Sequence, residues 1–163
     1  MKRLIIMRHA KSSWADSSAA DHERTLNGRG RRSAPVMAQR LIFHQCQPDV
    51  MLSSSSQRTI ETAELMLAEN LMDRKHVHFL DSLYLASTNC IVEAVQDRTE
   101  DVVLVLAHNP GVTYFVNKYS NASLDNLPTA GVAVIDFDIS SWTELPETKT
   151  GKLQWLEFPR MFE

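Results

Sequence analysis

Val102-Val103-Leu104-Val105-Leu106-Ala107-His108-Asn109-Pro110-Gly111 is the stretch that decides the fold. A short, unbroken apolar run rich in valine is what a strand buried on both faces needs. His108 to Gly111 ends it with turn chemistry, and Val112 to Tyr119 reads as a helix. A buried strand followed at once by a helix is the unit of a parallel α/β sheet.

The pattern repeats on either side. Leu4 to Met7 is another apolar run, and Arg8-His9 ends it. A polar loop, Lys11 to Thr25, leads to a turn at Asn27-Gly28-Arg29-Gly30. The helix that follows carries Val36, Met37, Leu41 and Ile42 on one side and ends near His44. Asp49 to Ser53 is a second strand, and Ser54, Ser55 and Ser56 offer N-cap oxygens to a helix bearing Ile60, Ala63, Leu67 and Leu71. Val77 to Leu80 is a further strand candidate, and Ile91 to Arg98 is helical. Val132 to Phe137 and Leu153 to Phe158 read as late strands, with Asp138 to Thr150 a polar connection between them. The expected architecture is a three-layer α/β/α sandwich with a mostly parallel central sheet, one domain over residues 1–163.

Composition narrows the partners. A net charge of −3 gives no electrostatic case for nucleic acid. Cys46 and Cys90 form no CxxC pair and no ligand cluster, so they read as reduced thiols. The run Leu4 to Met7 is too short for a secretory core, and no stretch approaches the ~20 apolar residues of a membrane span. The expected compartment is the cytoplasm.

In sheets of this kind ligands bind beyond the carboxyl ends of the strands. Arg8-His9 follows the first strand, Arg58 the second and His108 the fourth. Taken singly, each has a plainer reading: polar strand ends, a solvated helix residue, a turn. Taken together they bring four side chains to one crevice. Two guanidinium forks match phosphate oxygens, and a neutral histidine is a nucleophile. No glycine-rich phosphate loop, no two-metal spacing and no Cys-x5-Arg loop is present, which leaves histidine to attack phosphorus. No metal or cofactor is expected. Ser12 and Arg24 are candidates for the pocket rim, and His22 could approach it. His76 and His78 read as surface residues, and His44 as a helix-end residue favoured by the macrodipole.

These segments resemble the histidine phosphatase superfamily, the phosphoglycerate mutase-like group. The matching motifs are Met7-Arg8-His9-Ala10, Leu26-Asn27-Gly28-Arg29-Gly30, Ser53 to Ala63, and Ala107-His108-Asn109-Pro110, in family order. Within it, Arg8-His9-Ala10-Lys11-Ser12-Ser13-Trp14 and Asp21-His22-Glu23-Arg24-Thr25-Leu26 are similar to the SixA-type phosphohistidine phosphatases. There proline more often stands at the place of Thr25. The resemblance implies His9 as nucleophile, Arg8 and Arg58 as phosphate clamps, and His108 as phosphate donor. Many family members carry a Glu or Asp general acid after the third strand. Here Leu80-Asp81-Ser82-Leu83-Tyr84-Leu85-Ala86-Ser87 holds no Glu, and Asp81 stands early.

The favoured substrate is therefore phosphohistidine on a partner protein, such as a phosphotransfer domain of a signalling or sugar-transport relay. A small-molecule phosphomonoesterase using Asp81, Asp16, Asp21 or Glu23 as acid is the alternative. A non-catalytic phosphohistidine-binding module is the third. A monomer is the expected state.

Overall fold

The computed structural model describes residues 1–148 and 151–163. Its strands are β1 (Lys2–Arg8), β2 (Val50–Ser54), β3 (Val77–Leu80), β4 (Val102–Ala107), β5 (Val132–Phe137) and β6 (Lys152–Glu157). Its α-helices are α1 (Gly28–Phe43), α2 (Gln57–Leu67), α3 (Thr88–Gln96) and α4 (Gly111–Tyr119). The strands form a sheet in the order β3-β2-β4-β1-β5-β6. The pairs β3–β2, β2–β4 and β4–β1 are parallel, whereas β1–β5 and β5–β6 are antiparallel. The sheet is thus mixed, with its parallel half on the side that carries the site.

Successive residues of a strand face opposite ways, and the apolar runs divide accordingly. Leu4, Ile6, Val103, Val105, Ile135 and Phe137 join α3 and α4 residues in one buried cluster. Ile5, Met7, Leu104, Leu106, Val132 and Val134 join α1 and α2 residues in the other. Both faces are covered, so these strands carry no polar side to water.

Register is what makes the fold useful. Arg8 pairs with Ala107 and Ser53 with Leu106. β1, β2 and β4 therefore end at one level, and Ser54, the last residue of β2, emerges beside His9 and His108, which follow β1 and β4.

Local signals explain the helix starts. Asn27 Oδ1 accepts the Gly30 N–H at 2.8 Å at the start of α1. Ser56 caps α2 and Ser87 caps α3. The Ser87 cap starts α3 earlier than Ile91, from which the apolar periodicity becomes visible. A Cβ on Gly30 would lie 2.2 Å from the Lys11 carbonyl oxygen, so glycine lets α1 close against the loop that follows β1.

One expectation needs correcting. The stretch after β5 is more than a polar connection: Trp142–Glu147 is a 3-10 helix in which Trp142 and Leu145 are fully buried. The Trp142 indole N–H donates to the Glu100 carbonyl at 2.7 Å, and Ser141 and Glu144 form a capping box. Two apolar residues among polar ones give no periodicity, but they fill the space beside α3. Lys149 and Thr150, the end of that stretch, lie outside the described residues.

Candidate active site

His9 leaves β1 with its ring held from behind. Its Nδ1 lies 2.7 Å from the Ala10 carbonyl oxygen. A carbonyl only accepts, so Nδ1 carries the proton and the lone pair resides on Nε2. The Ala10 N–H is pinned in turn by Thr62 Oγ at 3.1 Å, and Thr62 donates to the Arg58 carbonyl at 2.7 Å. The Arg-x-x-x-Thr spacing at the start of α2 thus serves two ends: one turn of helix separates the guanidinium from the hydroxyl that fixes the loop after His9.

His108 lies beside His9, with ring centroids 5.2 Å apart. Its Nε2 meets Ser54 Oγ at 2.8 Å, and its Nδ1 accepts from Arg58 Nη2 at 3.3 Å. Gly111 permits this loop: a Cβ there would lie 2.0 Å from the Ala86 carbonyl oxygen. Arg8 donates through Nη1 to the Leu127 carbonyl at 3.1 Å. Asn109 donates to the same oxygen at 3.2 Å, tying the β1 and β4 ends together.

Arg8, His9, Arg58 and His108, drawn from three strand ends, therefore converge. Burial pushes both histidines down, His9 to about 4 and His108 to about 3. The Arg58 charge adds to both shifts, the Arg8 charge to that of His9, and the His9 ring to that of His108. Burial and the Arg58 charge also lower Arg8. The Nε atoms of Arg8 and Arg58 are buried and have no hydrogen-bond partner among the described residues. Burying an unpaired donor costs about 1–3 kcal/mol. Two such donors, with two neutral histidines in the same cluster, make a site that an oxyanion would stabilise.

The lowered value of His9 has a definite consequence. The neutral ring, which is the nucleophilic form, persists through the neutral range and is lost only as pH falls through about 4. An NMR titration of the histidine ring carbons should show His9 titrating well below the ordinary ~6.5. A midpoint at the ordinary value would mean that the ring is solvated and free to protonate.

The rim residues fall into a second group. Ser12 Oγ accepts from Arg24 Nη1 at 2.8 Å, so these two candidates bind each other. Arg24 also reaches Asp21 at 3.2 Å and lies under the exposed Trp14 ring, 3.6 Å from its centroid. Arg58 joins the two groups: Nη1 donates to the Asp21 carbonyl at 2.7 Å and Nη2 to its carboxylate at 3.1 Å. The Tyr84 hydroxyl donates to the same carboxylate, and its ring stands edge-on to His108 at 5.5 Å. His22 does come to this rim, edge-on to Tyr84 at 4.7 Å and 3.2 Å from Ser55 Oγ. His76 and His78 are exposed, and His44 pairs with Glu157 at 2.9 Å.

The candidate acids separate clearly. The Tyr84 hydroxyl, followed by Arg58 and Arg24, holds the Asp21 carboxyl down at about 2, so it has no proton to give near neutrality. Asp81 accepts from Ser55 Oγ at 2.5 Å, Asp16 accepts from Ser18, and Glu23 is exposed.

Tyr84, Ser54, Thr62 and the Leu127 carbonyl are site components that the sequence reading did not single out. Among the described residues no three His, Cys, Asp or Glu side chains group as a metal site, and no helix is long and apolar enough to cross a membrane.

Paired histidines and arginines at the carboxyl ends of a mostly parallel sheet define a phosphoglycerate mutase-like α/β protein. The sequence profile of the histidine phosphatase superfamily (branch 1) matches residues 4–83. An uncharacterized chloroplastic protein of Arabidopsis thaliana is 34% identical over 154 residues, 88% of this chain and 70% of that protein. The chain belongs to the histidine phosphatase superfamily. Its fold is similar to the putative phosphohistidine phosphatase SixA from Agrobacterium tumefaciens, with a TM-score of 0.80 and 24% identity over 97% of this chain and 98% of that one. It is also similar to the protein histidine phosphatase SixA complexed with tungstate, with a TM-score of 0.82 and 22% identity over 99% of each.

Proposed function

We propose that the protein is a phosphohistidine phosphatase that acts on phosphohistidine carried by a partner protein of a signalling or phosphotransfer relay, without metal or cofactor. The observation that carries this reading is the His9 ring. It is neutral, fixed through Nδ1 by the Ala10 carbonyl, and set among Arg8, Arg58 and His108. Nε2 attacks phosphorus in line while the two arginines and His108 hold the equatorial oxygens. His108 accepts from Arg58 at Nδ1 and so carries its proton on Nε2; that N–H donates to the phosphoryl oxygen in place of Ser54 Oγ. The leaving group departs, and water then cleaves phospho-His9. Tungstate, the ligand of one similar fold, is an oxyanion of the kind that this cluster of donors suits.

The leaving-group side supports a P–N bond. The Asp21 carboxyl, which touches Arg58, is ionised and has no proton to give. An alcohol departs poorly without a proton, and general acids typically supply ~10²–10⁴-fold. A histidine ring has an ordinary pKa near ~6.5 and takes its proton from solvent before the bond breaks. Assaying a phosphohistidine protein, p-nitrophenyl phosphate and a sugar phosphate side by side tests this. The expected order of kcat/KM is phosphohistidine, then the aryl ester, then the sugar phosphate. Equal cleavage of the sugar phosphate would show an acid at work, and no turnover of any of them would leave a binding module.

Activity should also survive EDTA and be blocked by vanadate, whose pentacoordinate geometry suits a pocket built for the transition state. Loss of activity in EDTA that added Mg2+ or Zn2+ restores would contradict the metal-free mechanism.

A further inference from the structure

The Asp21 carboxylate is too acidic to serve as a proton donor, yet it occupies the position next to the phosphoryl clamp. Arg58 Nη2 touches both His108 Nδ1 at 3.3 Å and Asp21 Oδ2 at 3.1 Å. The Arg58 side chain is 3% exposed and that of Asp21 is 45% exposed. Going outward from Arg58, the half-exposed carboxylate is thus the next charged group. Tyr84 and His22 stand beside it as flat walls.

We propose that Asp21 is a specificity-determining residue: its carboxylate accepts the N–H of the phosphorylated imidazole, on the ring nitrogen that does not carry phosphorus. The inference rests on the phosphohistidine reading above and deepens it.

The chemistry balances without a proton from the enzyme. A phosphorylated ring protonated on its second nitrogen carries a positive charge on the ring beside its negative phosphoryl oxygens. Asp21 binds that N–H and stabilises the charge. The Nε2 lone pair of His9 forms the new P–N bond. The electron pair of the old P–N bond returns to the leaving nitrogen, and neutral imidazole departs with its other N–H intact. Asp21 stays ionised throughout. The same negative charge repels leaving groups that bear carboxylate or phosphate, so phosphorylated hydroxy acids are disfavoured twice.

The test compares wild type, Asp21→Asn, Asp21→Glu and Tyr84→Phe on a phosphohistidine peptide and on p-nitrophenyl phosphate. A hydrogen bond to a charged partner corresponds to a loss of about 10- to 100-fold. Asp21→Asn should lose that much more on the peptide than on the aryl ester, so the ratio of the two kcat/KM values collapses. Asp21→Glu keeps the charge and should restore much of the ratio. Tyr84→Phe keeps the carboxylate and should preserve the ratio, which holds the proposal open to test even if the asparagine variant folds poorly. A parallel loss on both substrates in Asp21→Asn would overturn the proposal and reduce Asp21 to a support for Arg58. So would a collapsed ratio in Tyr84→Phe. A wild-type enzyme that leaves the peptide intact would instead overturn the proposed function itself.

Discussion

His9→Ala should abolish turnover, by roughly 10⁴-fold or more, the scale seen when a covalent nucleophile is removed. The expected loss is large because no neighbouring group can take over. His108 is buried, and its two ring nitrogens are engaged by Ser54 and Arg58. Cys46 is buried in the core cluster and touches Arg3 at the amino end of β1, away from the carboxyl ends where the site lies. The variant should still fold, since the ring makes its hydrogen bond to the Ala10 carbonyl of its own loop, and it should still bind vanadate or inorganic phosphate through the arginines. Loss of activity with oxyanion binding retained separates a missing nucleophile from a collapsed site. Substantial residual turnover on the phosphohistidine protein would mean that water attacks directly.

Arg58→Ala should come next, with a loss of about 10²–10³ in kcat, typical for one preorganised donor to transition-state charge. Arg58 links the histidine pair to the rim. It touches His108 and both the carbonyl and the carboxylate of Asp21, and it keeps a buried Nε without a partner among the described residues. Its removal takes away a clamp and a positive charge and loosens the leaving-group side together. Arg24→Ala is the internal control. Arg24 binds Ser12, Asp21 and the face of Trp14, and its charge is a smaller contributor to the His9 environment than those of Arg58 and Arg8. Its loss should cost far less. Equal losses in the two variants would place the phosphoryl group nearer the rim than proposed.

The convergence of Arg8, His9, Arg58 and His108 was legible because it depends on periodicity. Apolar runs mark where strands end, parallel pairing puts those ends at one level, and the chemistry follows each run directly. Asp21 and Tyr84 were not legible in the same way. Both lie on short 3-10 segments or their flanks, Asp21–Glu23 and Asp81–Leu83, which carry no apolar period. Their meeting depends on how the Asp21 segment packs on α2 and the Asp81–Leu83 segment on β2 and α3. The one local signal was the Asp21–Arg24 spacing, which suits a one-turn ion pair. Nothing local shows that the same carboxylate reaches Arg58, 37 residues away. Trp142 escaped for a related reason: a single large apolar residue in a polar stretch looks like surface until the space beside α3 is known.

Rapid quenching of the enzyme during turnover of a 32P-labelled phosphohistidine protein, followed by identification of the labelled residue, tests the central claim most directly. The account predicts a phosphoenzyme that is labile in acid and stable in alkali, with the label on His9. Label on a cysteine, a serine or His108, or turnover with no phosphoenzyme at all, would contradict it.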